Sequence, residues 1–234
     1  MRVAIVENTA ITHHGLVGVA LHEAAARIEV FKPWAGQPLP TDAAGFDALI
    51  SFGGEQSALD DHIHPYLVQL AGLMRAFTEA DRAVLGICLG AQVLARAFGG
   101  QNLLGAAPEF GWHEVSLLEA GRADPVLRAL PAAFPIFQWH SDTFTLPPGA
   151  AHLATSGGAA HQAFRTGRAT YGVQFHFEAS RAVIADLNRD LPDLMEKMEP
   201  GWLAAHPARA ATLGAQADAA GLALARAWVA QVQV

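Results

Sequence analysis

Val84-Leu85-Gly86-Ile87-Cys88-Leu89-Gly90-Ala91-Gln92 changes its periodicity in the middle. Ala83 to Ile87 is apolar without alternation, the pattern of a strand buried on both faces of a parallel sheet. From Leu89 to Phe98 the residues are helix formers with helical apolar spacing. A strand that turns sharply into a helix holds the residue at the turn above the sheet edge. Gly86 and Gly90 leave room for strand and helix to pass closely around it. The block is the thiol version of the Gly-x-Ser-x-Gly nucleophile elbow. The helix that starts behind Cys88 turns its positive end on that residue, which favours negative charge there. Cys88 is the candidate nucleophile.

A single cysteine among apolar neighbours also fits an inert buried residue. The competing weight comes from Tyr171-Gly172-Val173-Gln174-Phe175-His176-Phe177-Glu178, where a second apolar strand ends in His-x-Glu. A nucleophile needs a base to take its proton and a third group to fix the base's tautomer. Cys88, His176 and Glu178 supply all three types. Both segments lie at C-terminal strand ends, where open α/β sheets place their sites.

The composition narrows the classes. The chain has 234 residues, of which 52% are hydrophobic and 16% charged, so a sizeable core is available and disorder is not expected. The formal charge of −7 argues against nucleic acid or an anionic membrane as the main partner. One cysteine excludes an internal disulfide. Met1 to Asn8 meets a charge too early for a signal peptide, and no apolar run approaches spanning length. The expectation is a cytoplasmic protein.

Taken in order, Val3–Val6 reads as a strand, Gly15–Arg27 as a helix, and Ile28–Phe31 as a second strand. A Pro- and Gly-marked loop follows. Asp47–Phe52 is a third strand, ending in Gly53-Gly54-Glu55. A glycine pair at that end allows close backbone approach to a ligand with free N–H donors, or simply makes a βα turn. Asp60-Asp61-His62-Ile63-His64 looks like a metal cluster on paper. Standing before Pro65 and a helix to about Ala80, it reads as a polar loop with N-terminal carboxylates, and no metal or cofactor is expected. Asn102–Leu118 is strand-like, and Asp124–Leu130 a short helix. Phe137-Gln138-Trp139-His140-Ser141-Asp142 is a polar strand end suited to binding or to the surface. Strands are expected at His152–Ser156, Gln162–Arg165 and Thr170–Phe175, then a helix to Asp190. Ala208–Val232 reads as one long Ala-rich helix. Residues 1–190 form the expected domain. Residues 191–234 form a helical extension packed on it, with a homodimer interface as the competing use.

With these residues quoted, the sequence resembles the class I glutamine amidotransferases of the Cys-His-Glu type. The matching pieces are Gly53-Gly54, the Cys88 block, Trp139-His140-Ser141-Asp142, and Gly172 to Glu178. Within the family it is similar to stand-alone members that resemble the amidotransferase domain of GMP synthase. The resemblance implies an α/β, flavodoxin-like three-layer sandwich, mainly parallel, with additional antiparallel strands. It implies that Cys88 attacks the γ-carboxamide of glutamine, that His176 shuttles the proton, and that Glu178 orients His176. The N–H groups of Gly54 and Leu89 would form the oxyanion hole. Gln92, His140, Ser141 and Asp142 would meet the substrate. Glu55 and Phe177 stand where the family usually has proline, which bears on the shape of the oxyanion loop and the pocket. Three functions remain open: a self-contained hydrolase of γ-glutamyl compounds, a glutaminase subunit feeding a separate synthetase, and a non-catalytic binding relative.

Overall fold

The computed structural model describes residues 1–233. Its strands are β1 (Arg2–Val6), β2 (Arg27–Phe31), β3 (Ala48–Ser51), β4 (Ala83–Ile87), β5 (Asn102–Leu103), β6 (Glu109–Leu117), β7 (Ala133–His140), β8 (Thr143–Phe144), β9 (Ala151–Ser156), β10 (Ala163–Thr166) and β11 (Thr170–Val173). Its α-helices are α1 (Gly15–Glu23), α2 (Tyr66–Glu79), α3 (Leu89–Ala97), α4 (Glu119–Ala123), α5 (Arg181–Asp190), α6 (Pro192–Met198), α7 (Trp202–Arg209) and α8 (Ala215–Val229). Among the described residues, no helix is long and apolar enough to cross a membrane.

Nine strands form one sheet in the order β2-β1-β3-β4-β11-β10-β9-β6-β7, and β5 and β8 make a small ribbon. The pairs from β2 through β4 to β11 are parallel, and those from β11 to β7 are antiparallel. This is the flavodoxin-like order extended by antiparallel strands. The continuous apolar runs make sense on such a sheet. Val3, Ile5, Ile50, Leu85 and Ile87 pack on one face with α1, α5 and α8, while Ala4, Val6, Leu49 and Val84 pack on the other with α2 and α3. Alternate residues of each central strand therefore enter two different cores.

Several boundaries differ from the sequence reading. The first helix stops at Glu23 because Ala25 takes φ 50° and the chain reverses, with Ala26 N–H bonded to the Leu21 carbonyl at 3.0 Å. That closure usually carries glycine, so an alanine there gave no signal. The Asn102–Leu118 segment is broken into β5 and β6 by residues 104–108. Of the short helix expected over Asp124–Leu130 only a 3₁₀ turn at Leu127–Ala129 forms, and the α-helix α4 ends just before that span, at Ala123. Asp124 sits between them, its carboxylate accepting from the N–H groups of Val126 and Leu127 at 2.9 and 3.2 Å. The C-terminal helix starts earlier than expected, as α7, and passes through a π-turn at Ala210–Gly214 into α8.

Helices α7 and α8 lie against the sheet. Trp202 of α7 and Trp228 of α8 are fully buried, and each removes from water apolar area worth up to about 4–6 kcal/mol. The Trp202 ring lies 5.0 Å from Phe110 and 5.9 Å from Phe137. Phe137 is itself a wall of the cavity described next.

Candidate functional site

Three parallel strands, β3, β4 and β11, end side by side, and the segments that leave them converge on one cavity of about 260 Å³. Cys88 follows β4 directly and sits at φ 52°, ψ −109°. A non-glycine residue held there stores of order 1–3 kcal/mol of strain, which persists only where neighbours over-determine it. Here the Cys88 N–H donates to the Val173 carbonyl at 2.8 Å, and the Cys88 carbonyl accepts from Gln92 N–H at 3.0 Å. The glycines are fixed by space. A Cβ on Gly86 would run into the carbonyl of Gly90, and one on Gly90 into the carbonyl of Ser51. Strand, helix and neighbouring strand therefore touch backbone to backbone around the elbow. The thiol faces the Trp139 carbonyl at 3.7 Å.

His176 leaves β11 on the adjacent register, its N–H anchored to the Phe137 carbonyl at 2.8 Å. Its Nδ1 lies 2.6 Å from Glu178 Oε1, a short charge-assisted contact between two largely buried side chains. Burial opposes the charged form of His176. The Glu178 carboxylate and the Cys88 sulfur outweigh that penalty and hold the imidazole well above its usual range. A Cβ placed on Gly53 would lie 2.9 Å from His176 Cε1 and 3.4 Å from Cys88 Cβ, so imidazole and cysteine flank the same glycine. The arrangement places a thiol and an imidazole beside one glycine, with Nδ1 of that imidazole fixed by a carboxylate.

Gly54 lies beside the first turn of α3: a Cβ on it would come within 3.1 Å of Leu89 Cδ2. Leu89 is the first residue of that helix, so its N–H has no acceptor within the helix. The Gly53–Gly54 loop is set by Asn8, fully buried after β1. Its Nδ2 donates to the Phe52 carbonyl at 2.7 Å, and its carbonyl accepts from Gln56 Nε2 at 2.7 Å. Nothing in the sequence reading singled out Asn8. The available signal was its place at the C-terminal end of the first parallel strand, beside the switch point between β1 and β3.

Cys88, His176, Glu178 and Gly54 thus line one cavity, together with Gly53 and Glu55. The other five named positions, Leu89, Gln92, His140, Ser141 and Asp142, lie outside that lining. Gln92 is buried one turn behind Leu89, its Nε2 donating to the Asp142 carbonyl at 3.2 Å and to Gln174 Oε1 at 3.3 Å. His140 is buried against Gln138 and Glu109, with its Nε2 3.2 Å from an oxygen of each. Burial alone would raise Glu109, but the hydrogen bonds from His140 and Ser156 hold its carboxyl below the usual range. The exposed Ser141 and the half-buried Asp142 tie down the 104–108 loop, accepting from the N–H groups of Ala107 and Gly105.

Phe177 turns into the core against Phe175, ring centroids 6.3 Å apart, so it does not narrow the cavity. Glu55 is exposed at the mouth. The Asp60–His64 loop is held by structure: Asp60 accepts from Ser57 N–H, and Asp61 pairs with Arg96 at 2.9 Å. The sequence reading also missed the far wall, which comes from Ile11, Val183, Leu187 and Leu194.

The profile of the class I glutamine amidotransferases matches residues 20–184. The chain is 32% identical over 173 residues to the glutamine amidotransferase-like protein YfeJ of Salmonella typhimurium, covering 71% of this chain and 72% of that one. It is 34% identical over 118 residues to one subunit of the glutamine-hydrolysing GMP synthase of Methanoculleus marisnigri, covering 50% of this chain and 62% of that protein. A crystal structure of a glutamine amidotransferase from Thermotoga maritima superimposes with a TM-score of 0.84, at 24% identity over 100% of this chain and 99% of that one. That likeness shows the fold, and the family match with the YfeJ relationship shows the kinship: the chain belongs to the class I glutamine amidotransferases.

Proposed function

We propose that this chain hydrolyses the γ-amide bond of a γ-glutamyl substrate unaided, through a glutamyl thioester on Cys88. The observation that carries the proposal is the meeting of a strained cysteine and a carboxylate-held imidazole around Gly53 in one cavity. In this reading Cys88 Sγ, its proton passed to His176, attacks the amide carbon. The N–H groups of Gly54 and Leu89 receive the oxyanion, each donor supplying about 3–4 kcal/mol at the transition state. His176 gives its proton to the departing nitrogen, and the C–N bond breaks to leave the thioester and an amine. Water then adds to the thioester as His176 takes its proton back. The C–S bond breaks and glutamate leaves. Glu178 fixes the tautomer of His176 throughout. Gln92, His140, Ser141 and Asp142 act from behind the elbow, as supports of the glutamyl end. Residues 1–190 form the amidotransferase-like unit, and 191–234 extend it with helices on the same unit. The protein works in the cytoplasm, where its single thiol, free in the structure, stays reduced.

A second reading is a glutaminase subunit that hands ammonia to a separate synthetase, and the similarity to one subunit of a GMP synthase favours it. The two separate by kcat/KM of the isolated chain on glutamine and on γ-glutamyl amides. Turnover without a partner supports the first. Negligible rates that rise by orders of magnitude with a co-purifying synthetase establish the second.

A further inference from the structure

The catalytic cavity continues past His176 along α5 and α6, where Ala179, Val183, Ile184, Leu187 and Leu194 form one side and Ile11 the other. Two of these, Ile11 and Leu194, are 44% and 38% exposed, so large apolar side chains stand open to solvent at the mouth. Among the described residues that line the cavity, none is lysine or arginine; its carboxylates are Glu55 and Glu178, and Thr9, Thr12, His13 and His176 are its other polar side chains, none of them on α5 or α6.

Two requirements of the proposed chemistry give this wall its orientation. The oxyanion turns toward the N–H groups of Gly54 and Leu89, on the α3 side. The departing nitrogen must face His176, which protonates it, and α5 begins a few residues beyond His176. Residues of α5 line the same cavity as His176, so what is attached to that nitrogen comes within their reach. Glutamine leaves ammonia, no larger than a water molecule, which makes no use of an apolar wall built from Ala179, Val183, Ile184, Leu187 and Leu194. The zwitterionic end of the glutamyl group is a poor match to this wall, since no cation there would meet its carboxylate.

From these observations, and resting on the hydrolase reading above, we infer that the α5–α6 side of the cavity is a leaving-group site for an uncharged apolar N-substituent. The preferred substrates are γ-glutamyl alkyl- or arylamides, ahead of glutamine and of γ-glutamyl peptides. A γ-glutamyl peptide would bring a carboxylate onto this apolar wall, whose side chains offer it no hydrogen-bond donor to offset its desolvation.

The test measures kcat/KM of the purified full chain on γ-glutamyl-n-butylamide, γ-glutamylglycine and glutamine. The butylamide is expected to exceed both others by about 10-fold or more, the scale on which a few methylenes are discriminated in an apolar pocket. Leu187→Glu should lower the butylamide-to-glutamine ratio by at least about 10-fold. Circular dichroism and glutamine turnover report whether that variant folds, and the milder Leu187→Ala should lower the same ratio in the same direction. Equal or reversed preference in the wild-type chain, with glutamine still hydrolysed, overturns the leaving-group site and leaves the hydrolase standing. No turnover of any of the three overturns the hydrolase, and this inference with it.

Discussion

Replacing Glu178 by glutamine removes one charge and leaves the shape of the site nearly intact. In the native chain Glu178 Oε1 stands 2.6 Å from His176 Nδ1, and Glu178 itself is 5% exposed. A hydrogen bond to a charged group at such a site contributes about 1.5–3 kcal/mol. At about 1.4 kcal/mol per decade, losing it at the transition state lowers kcat by roughly 10- to 10²-fold. The amide adds a second hazard. With its oxygen toward Nδ1 the tautomer survives; with its NH₂ group there, Nδ1 must accept and the proton moves to Nε2, the wrong side for a base facing Cys88. Orienting acids whose loss permits that tautomer cost up to about 10⁴-fold. The pH profile gives an independent reading. The Glu178 carboxylate is the first of the groups that raise His176 against the opposing effect of burial. Its loss therefore lowers the imidazole, and the basic limb of kcat/KM moves to lower pH. The linked stability follows the same sign. A raised histidine contributes stability in full below its unfolded value of about 6.5, and loses it as pH rises through the higher folded value. Glu178→Gln thus destabilises the fold more at pH 6 than in alkaline solution. Steady-state kinetics from pH 5 to 10 on glutamine and a γ-glutamyl amide, with urea melts at both ends, measure all three effects. An unchanged kcat with an unmoved basic limb would show that something other than Glu178 orients His176.

Cys88→Ala should abolish turnover with little change in urea midpoint, since a small thiol adds little packing, and residual kcat above background would remove Cys88 as nucleophile. Gly53→Ala places a methyl group 2.9 Å from His176 Cε1, so kcat should fall by more than 10-fold in a folded protein; wild-type kinetics would mean that the imidazole has room to move. Gly90→Ala drives a methyl group into the Ser51 backbone and should destabilise by more than 1 kcal/mol, read as a lower urea midpoint, because backbone on both sides has nowhere to go. Trp202→Ala should cost about 3–5 kcal/mol and disturb Phe137 at the cavity wall, so an intact midpoint would contradict the burial.

Much of the site was legible because it is built from local backbone necessities. A Gly-x-Cys-x-Gly run between an apolar strand and a helix has few conformations open to it: a side chain on Gly86 would meet the Gly90 carbonyl, and one on Gly90 the Ser51 carbonyl. His-x-Glu after a buried strand was legible for a similar cause: two residues apart at a strand end is near enough for Nδ1 to meet a carboxylate. The parallel half of the sheet was legible from unbroken apolar runs. What stayed hidden depends on partners far away in sequence. Asn8 looks like any polar residue after a strand, and only the fold brings it under Phe52 to hold the glycine loop. The end of α1 was hidden because alanine took a backbone conformation that glycine usually marks.

The C-terminal helices show the same limit in a form that bears on function. Their sequence is dominated by alanine, and nothing in its spacing says what they cover. In the fold α8 sits so close to the catalytic segment that a Cβ on Gly221 would strike the carbonyl of Phe177, the residue between His176 and Glu178. From the other side the Leu16 N–H at the start of α1 bonds the Glu178 carbonyl at 3.0 Å. The His-Phe-Glu backbone is thus clamped between two helices that belong to this chain. On the proposed mechanism, a base already held by its own fold needs no partner to set it. This is the structural argument for unaided hydrolysis, and it bears on the imidazole alone. The Gly53–Gly54 loop is held differently, by one buried asparagine and one glutamine side chain. If a partner does regulate this chain, that loop, rather than His176 and Glu178, is where its binding would register.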